Sequence, residues 1–180
     1  AVVLLVKEDD VAGTAARRVV DELRAAGVRV ELDDRVATGF GRRATEWELK
    51  GAPVRGEVGP RDVAEDRVTV VRRDTGTKEP VAIDAAAGTV ADLVGRIQDE
   101  LLQRARQRRD ERIAEVSSLD DAVDAARTGW AKLPWDLVQG EGETRLATES
   151  VTVRCLQRRD GSVPDADDEP DLVAYVARSY

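Results

Sequence analysis

The chain has 180 residues, 42% of them hydrophobic, and a formal net charge of −8, so it can form one full domain with a smaller second one. No apolar run approaches the roughly 20 residues of a membrane-spanning helix, and we expect a cytoplasmic protein with no membrane contact. One cysteine and no histidine exclude an internal disulfide and the commonest general acid–base, and the absence of methionine indicates a piece of a longer polypeptide.

The first elements in chain order form a β-α-β unit. The continuous apolar run over residues 2–6 predicts a central strand buried on both faces. Thr14 is then the predicted N-cap of a helix that ends at Gly27, and alternating apolar residues over 28–32 predict a second strand. The crossover should be right-handed.

Further strands complete the first domain. A glycine-containing loop leads to a short helix over 42–50, and strands are predicted over 54–58, 67–72 and 78–83. Thr89 resembles the start of a capping box for a long helix that follows. We therefore predict an α/β fold with a five-stranded mixed sheet flanked by helices, spanning residues 1–116.

Residues 117–180 are predicted to form a small α+β domain. Leu119 begins an amphipathic helix, residues 152–156 form a strand, and the acidic segment before residue 172 is a loop. Cys155 is predicted to be a small buried hydrophobe. The candidate core residues are Trp130, Trp135, Leu137, Val153, Leu156 and Val173.

Common catalytic and cofactor motifs are missing. Neither a dinucleotide fingerprint nor a phosphate-binding loop is present, so nucleotide chemistry is not predicted. The doubled carboxylates Asp33-Asp34 and Asp120-Asp121 are better interpreted as caps and solvated charges than as metal ligands.

Charge is unevenly distributed along the chain. Most of the acidic excess follows residue 115, whereas basic residues are concentrated in the stretches 42–78 and 104–112. Such local patches can bind nucleic acid, although solvated surface charge is the more common explanation of them.

Four motifs carry a resemblance to a known family. They are residues 33–35 (Asp-Asp-Arg), 47–55 (Trp-Glu-Leu-Lys-Gly-Ala-Pro-Val-Arg), 59–62 (Gly-Pro-Arg-Asp) and 72–78 (Arg-Arg-Asp-Thr-Gly-Thr-Lys). Their order and spacing resemble the anticodon-binding domain of prolyl-tRNA synthetases of the archaeal and eukaryotic type. The last third resembles the C-terminal domain of the same enzymes.

The resemblance implies a function for a larger parent enzyme. That enzyme ligates proline to tRNA(Pro) with ATP and Mg²⁺, as a homodimer, whereas this part would lack the catalytic domain, hold no cofactor and be inactive alone. The terminal Tyr180 would brace the active site of the parent. Relatives often carry zinc on four cysteines in the last domain, and since only Cys155 is present here, we expect a domain that has lost its zinc ligands.

Three residues are the candidate anticodon readers: Glu48, Arg55 and Lys78. The proline anticodon carries two guanines, whose N1–H and N2–H₂ donors suit a carboxylate and whose O6 and N7 acceptors suit a cation. By resemblance these residues match the guanine-contacting positions of the family. Without it, Glu48 would be a solvated helical charge and Arg55 a member of a cross-strand ion pair.

The remaining candidates concern the tRNA backbone and the core. Arg35, Arg43, Arg72 and Arg73 are predicted to contact phosphates or to support the sheet. Trp47 is predicted to lie in the core, because it is adjacent to Glu48 and so faces another side of the helix.

Two other classes of function remain open from the sequence. One is a free-standing RNA-binding or accessory protein derived from such a domain. The other is an interaction module whose basic residues merely keep it soluble, which predicts no preference for proline tRNA.

Overall fold

A computed structural model describes residues 1–179, and the chain divides into two compact units, Ala1–Leu102 and the residues from Gln103 onward. The sequence placed the boundary at 116/117 instead. Two features explain the difference. The long helix that follows the last strand of the first sheet extends beyond residue 102, and residues 113–115 form a strand of the second sheet. Within residues 1–179, no helix has both the length and the apolarity to cross a membrane.

The first unit contains a five-stranded mixed sheet in the order β2-β1-β3-β4-β5. Strand β1 runs parallel to β2 and β3, whereas β4 runs antiparallel to both of its neighbours, β3 and β5. This confirms the predicted fold class. The strands are β1 (Val2–Leu5), β2 (Glu31–Asp33), β3 (Val54–Val58), β4 (Arg67–Arg72) and β5 (Lys78–Ala82). The helices are α1 (Asp10–Ala25), α2 (Phe40–Leu49), α3 (Pro60–Ala64) and α4 (Ala86–Asp110), the last preceded by a 3₁₀ turn at Ile83–Ala85.

Apolar residues of β1 pack on both faces of the sheet, as the continuous hydrophobic run predicted. Val3 and Leu5 join the core formed with α1 and α4. Val2 and Leu4 pack on the other face against Ala44 of α2. Within residues 1–179, the buried apolar residues that α2 contacts on this face therefore belong to β1, and the neighbouring strand β3 contributes charged residues there.

Two predicted helix starts were wrong. Asp9, not Thr14, caps α1, and its carboxylate accepts from the backbone N–H of Ala12 at 2.8 Å. Ala12 is fully buried, so the apolar face of α1 begins before Thr14. Likewise α4 begins at Ala86, ahead of the predicted cap at Thr89, because Ala86 already packs in the core.

The second unit contains a four-stranded sheet in the order β6-β7-β9-β8, in which only β6 and β7 are parallel. Its strands are β6 (Ile113–Glu115), β7 (Trp130–Pro134), β8 (Val151–Gln157) and β9 (Val173–Arg178). Its helices are α5 (Leu119–Ala126), α6 (Trp135–Val138) and α7 (Glu141–Thr148). Strands β6 and β7 were not predicted.

The core of this unit differs in part from the predicted one. Trp135 is buried, and its indole N–H donates to the backbone oxygen of Asp167 at 2.8 Å. Trp130 and Leu137, however, are 40% and 43% exposed. Cys155 is also exposed, so its predicted burial was wrong. Much of the buried core is formed by residues that were not predicted, among them Ala122, Ala131, Leu133 and Leu146.

Candidate nucleic-acid interface

The antiparallel part of the first sheet brings one residue from each of three strands into a row. Arg55 on β3 is paired in register with Val71 on β4, and Val71 is paired with Lys78 on β5. Directly paired residues of antiparallel strands project from the same face. Arg55 and Lys78, far apart in the sequence, therefore share the sheet face on which α2 packs.

Glu48 joins this row from the end of α2. Nη1 of Arg55 donates to Oε1 of Glu48 at 2.7 Å, and Nε of Arg55 donates to Oε1 of Glu57 at 3.0 Å. Lys78 Nζ lies 3.7 Å from the same Oε1 of Glu57. Glu48, Arg55, Glu57 and Lys78 thus form one connected charged cluster.

The two ends of the charged cluster are accessible and its centre is not. The side chains of Glu48 and Lys78 are 48% and 58% exposed, whereas those of Arg55 and Glu57 are 11% and 12% exposed. Two positive and two negative groups leave the cluster with no net charge. It therefore offers an acceptor and a donor at its accessible ends without a surplus of positive charge that would favour a phosphate.

The structure brings the three predicted reader residues together, and it adds Glu57, which the sequence analysis missed. Glu57 lies two residues after Arg55 on the same strand, so it projects from the same face. That period-two spacing was the available signal. Whether the three residues read bases stays a prediction.

A second polar centre lies beside the cluster, at the end of β2. The carboxylate of Asp33 is 2% exposed and accepts from Arg35, Arg43 and Trp47, with distances of 2.7 Å to both Arg35 Nη2 and Trp47 Nε1. Burial alone would raise the pKa of Asp33, but these hydrogen bonds outweigh it and hold that pKa well below its ordinary value. Asp33 is therefore a buried anion that fixes α2 to the sheet.

Arg43 supports the fold from inside this centre. Its side chain is fully buried, and besides the Asp33 carboxylate it donates to the backbone oxygens of Asp33 at 3.1 Å, Leu5 at 2.8 Å and Thr38 at 3.0 Å. These bonds satisfy carbonyl groups at the carboxyl ends of two parallel strands and the loop between β2 and α2. Of the two roles predicted for Arg43, phosphate contact or support, the geometry fits support.

The other predicted backbone residues occupy different positions. Arg35 is 49% exposed, and its ion pairs with Asp33 and Glu46 raise its pKa. Arg72 is 15% exposed and bound to Asp74 and Glu100, which also raises its pKa and fits a supporting role. Arg73 is exposed. Tyr180 lies outside the described residues.

Trp47 packs against the sheet, as predicted. It lies over the Val2 and Leu4 side of β1, and its indole N–H is held by Asp33. The outer side of the ring carries Lys50, whose Nζ lies 4.3 Å from the ring centroid. Lys50 thus occupies the outer side of the Trp47 ring, where a base would otherwise stack.

Comparisons with known proteins agree with this arrangement. The family model described as the anticodon binding domain matches residues 1–93. Proline–tRNA ligase 2 of Streptomyces avermitilis is 49% identical over 180 residues, 99% of this chain and 38% of that protein. Proline–tRNA ligase of Methanococcoides burtonii is 34% identical, over 98% of this chain.

A solved structure shows the same fold across the whole chain. Prolyl-tRNA synthetase of Cryptosporidium parvum, complexed with L-proline and AMP, matches with a TM-score of 0.83 and 26% identity. The match covers 99% of this chain and 40% of that structure. The chain thus spans about two fifths of the length of these relatives.

Proposed function

The chain belongs to the anticodon-binding domain family, in the form found in the C-terminal part of prolyl-tRNA synthetases, and we propose that it selects tRNA(Pro) by reading its anticodon. The observation that carries this proposal is the charged cluster on the α2 side of the first sheet. It joins Glu48 directly to Arg55, and it joins Arg55 to Lys78 through Glu57; the family resemblance singles out the first, second and last of these residues.

The chemistry of guanine fits the accessible ends of the cluster. Each carboxylate oxygen has two acceptor sites, so Glu48 can hold Arg55 through Oε1 and still accept from the N1–H and N2–H₂ groups of a guanine. The ammonium group of Lys78 suits O6 or N7, and so does any free donor of Arg55. Because the cluster is neutral as a whole, binding the neutral edge of a base leaves no buried charge uncompensated.

Phosphate contacts belong to other residues in this proposal. Arg73 and the outer edge of Arg35 are exposed and can meet the tRNA backbone, which positions the anticodon without reading it. Arg43 and Arg72 hold the sheet and its helices in place. This division assigns sequence recognition to the neutral cluster and salt-dependent attraction to the exposed arginines.

The parent activity is proposed from the relatives. In a complete enzyme, proline and ATP with Mg²⁺ would form prolyl-adenylate, and the prolyl group would pass to tRNA(Pro) in the cytoplasm. This part would contribute tRNA selection and no catalytic group, and the parent would act as a homodimer. Tyr180 would brace the active site.

The test is the affinity of the chain for a proline anticodon stem-loop, compared with one whose two guanines are replaced by cytosines. We expect the guanine loop to bind more tightly by about 1–3 kcal/mol per base contact. Glu48→Gln should remove most of that preference, because it replaces one acceptor with a donor. Glu65→Gln is the matched control, since Glu65 is also exposed and paired with an arginine, at 2.7 Å from Arg67. Equal binding of both loops by the unmodified chain would refute base readout.

A further inference from the structure

The second unit contains a pocket of about 360 Å³ at one edge of its sheet. This volume is within the roughly 300–1,000 Å³ that small-molecule sites occupy. Arg112, Thr128, Gly129, Trp130, Arg154 and Arg178 line it. Three arginines and a tryptophan around one pocket are unusual in this part of the chain, where acidic residues dominate.

The arginines stand out by their lack of carboxylate partners. From residue 115 onward the sequence has seven arginines and lysines against fourteen aspartates and glutamates. Five of the seven pair with a carboxylate in the structure, namely Arg127, Lys132, Arg145, Arg158 and Arg159. Among residues 1–179 the other two, Arg154 and Arg178, have no carboxylate within ion-pair distance, and both line this pocket together with Arg112, which also lacks one.

Few of the guanidinium donors are used within the protein. Nη2 of Arg154 donates to the backbone oxygen of Arg178 at 2.6 Å. Each guanidinium carries five N–H donors, so within the described part of the chain most donors of these arginines remain available to a ligand. An oxyanion, above all a phosphate, is the group that such planar donors bind best.

Trp130 supplies a flat apolar surface at the same place. It lies on β7 next to Ala131, which is fully buried in the core, so Trp130 projects from the opposite, outer face of the sheet. It is 40% exposed. An exposed indole beside cationic groups is the arrangement on which proteins stack nucleobases, because every base has a π-face.

We propose that this pocket binds a nucleotide, whose phosphate is held by Arg112, Arg154 and Arg178 and whose base stacks on Trp130. The nucleotide can be a free mononucleotide or one unit of a single-stranded RNA, since both present the same phosphate and base. The proposal is independent of anticodon readout, because none of these residues belongs to the charged cluster.

Nuclear magnetic resonance of the indole N–H groups tests the proposal directly. The chain has three tryptophans, and Trp130→Phe identifies the signal of Trp130. The ¹⁵N-labelled chain is titrated with adenosine monophosphate, with inorganic phosphate and with a single-stranded oligoadenylate. We expect a saturable shift of the Trp130 signal with the nucleotide ligands, and inorganic phosphate should compete for the site.

Two double variants that remove the same charge distinguish binding in the pocket from nonspecific electrostatic attraction of the ligand. The double variant R154Q/R178Q should bind about tenfold more weakly or worse, whereas R145Q/R159Q, which removes the same charge elsewhere in the unit, should bind like the unmodified chain. Retention of the other amide signals shows that each variant is folded. Oligoadenylate binding at least tenfold tighter than the mononucleotide would assign the site to RNA, and equal affinities would assign it to free nucleotides.

Two results would overturn the proposal. One is a Trp130 signal that does not move with any of the ligands. The other is an equal loss of affinity in both double variants. Neither would affect anticodon readout, which is measured with the stem-loop and the Glu48 variant.

Discussion

Arg55 Nη1 donates to Oε1 of Glu48 at 2.7 Å, joining strand β3 to the last turn of helix α2. The bond fixes one oxygen of a carboxylate whose side chain is still 48% exposed. A held carboxylate loses less conformational freedom when it binds a base than a freely rotating one. Arg55, which is largely buried, therefore acts in our proposal as much by orienting Glu48 as by contacting a guanine.

Glu57→Gln should weaken guanine discrimination although Glu57 itself is nearly inaccessible. Its Oε1 lies 3.0 Å from Arg55 Nε and 3.7 Å from Lys78 Nζ, so the neutral amide loses the charge that holds both cations. We expect the preference for the guanine stem-loop over the cytosine one to fall by about threefold to tenfold. Titration of both loops measures it, with Glu65→Gln as the control. Unchanged discrimination would show that Arg55 and Lys78 do not depend on Glu57.

Arg43→Met should strongly destabilise the first unit. The substitution leaves the buried carboxylate of Asp33 with fewer donors and frees the carbonyl groups of Leu5 and Thr38. Removing one partner of a buried ion pair typically costs about 3–5 kcal/mol. Urea unfolding measures the loss.

The neighbouring residue provides a control for Arg43. Arg42 is 80% exposed and pairs with Glu46 one helical turn away. Arg42→Gln should change the free energy of unfolding by about 0.5 kcal/mol or less. Similar losses for the two variants would contradict the structural role of Arg43.

The sequence predicted the first sheet well because its signals are local. The run at β1, the alternation in the later strands and the turn at Gly76 each mark an element without reference to distant residues. Strands β6 and β7 gave no such signal. The first has three residues and pairs with β7, whereas the second contains Lys132 and Pro134 and pairs with both β6 and β9, so both strands depend on tertiary pairing.

The site was predictable only in part, for a related reason. Glu48, Arg55 and Lys78 came from a family resemblance, and the connection of Arg55 to Lys78 through Glu57 depends on strand register. Arg43 and Asp33 were harder to assign, since charged residues are normally exposed and only the folded chain shows that they satisfy each other.

The Asp33 carboxylate should contribute to the free energy of unfolding at neutral pH but not in acid, and Asp33→Asn measures that contribution. The pKa of Asp33 is lowered in the folded state, so the folded chain favours the carboxylate more than the unfolded chain does. The contribution is fully present above the unfolded pKa of about 4 and is lost as the pH falls through the folded pKa. We therefore expect Asp33→Asn to be less stable than the unmodified chain at pH 7, and the difference to shrink steadily below pH 4. Urea unfolding across this pH range measures the difference in stability, and a difference that does not change with pH would contradict the lowered pKa of Asp33.

Cys155 should react with a thiol reagent in the folded chain. The residue is exposed on β8, beside the irregularity between Val153 and Cys155, although partial burial raises the pKa of its thiol. Because only the thiolate reacts, labelling at pH 7 should be complete but slow, and its rate should rise about tenfold per pH unit below the pKa. The urea-unfolded chain is the control, and it should react faster at pH 7, since its thiol returns to an ordinary pKa of about 8.5. Labelling that occurs only after unfolding would instead mean that Cys155 is buried, as its sequence context first indicated.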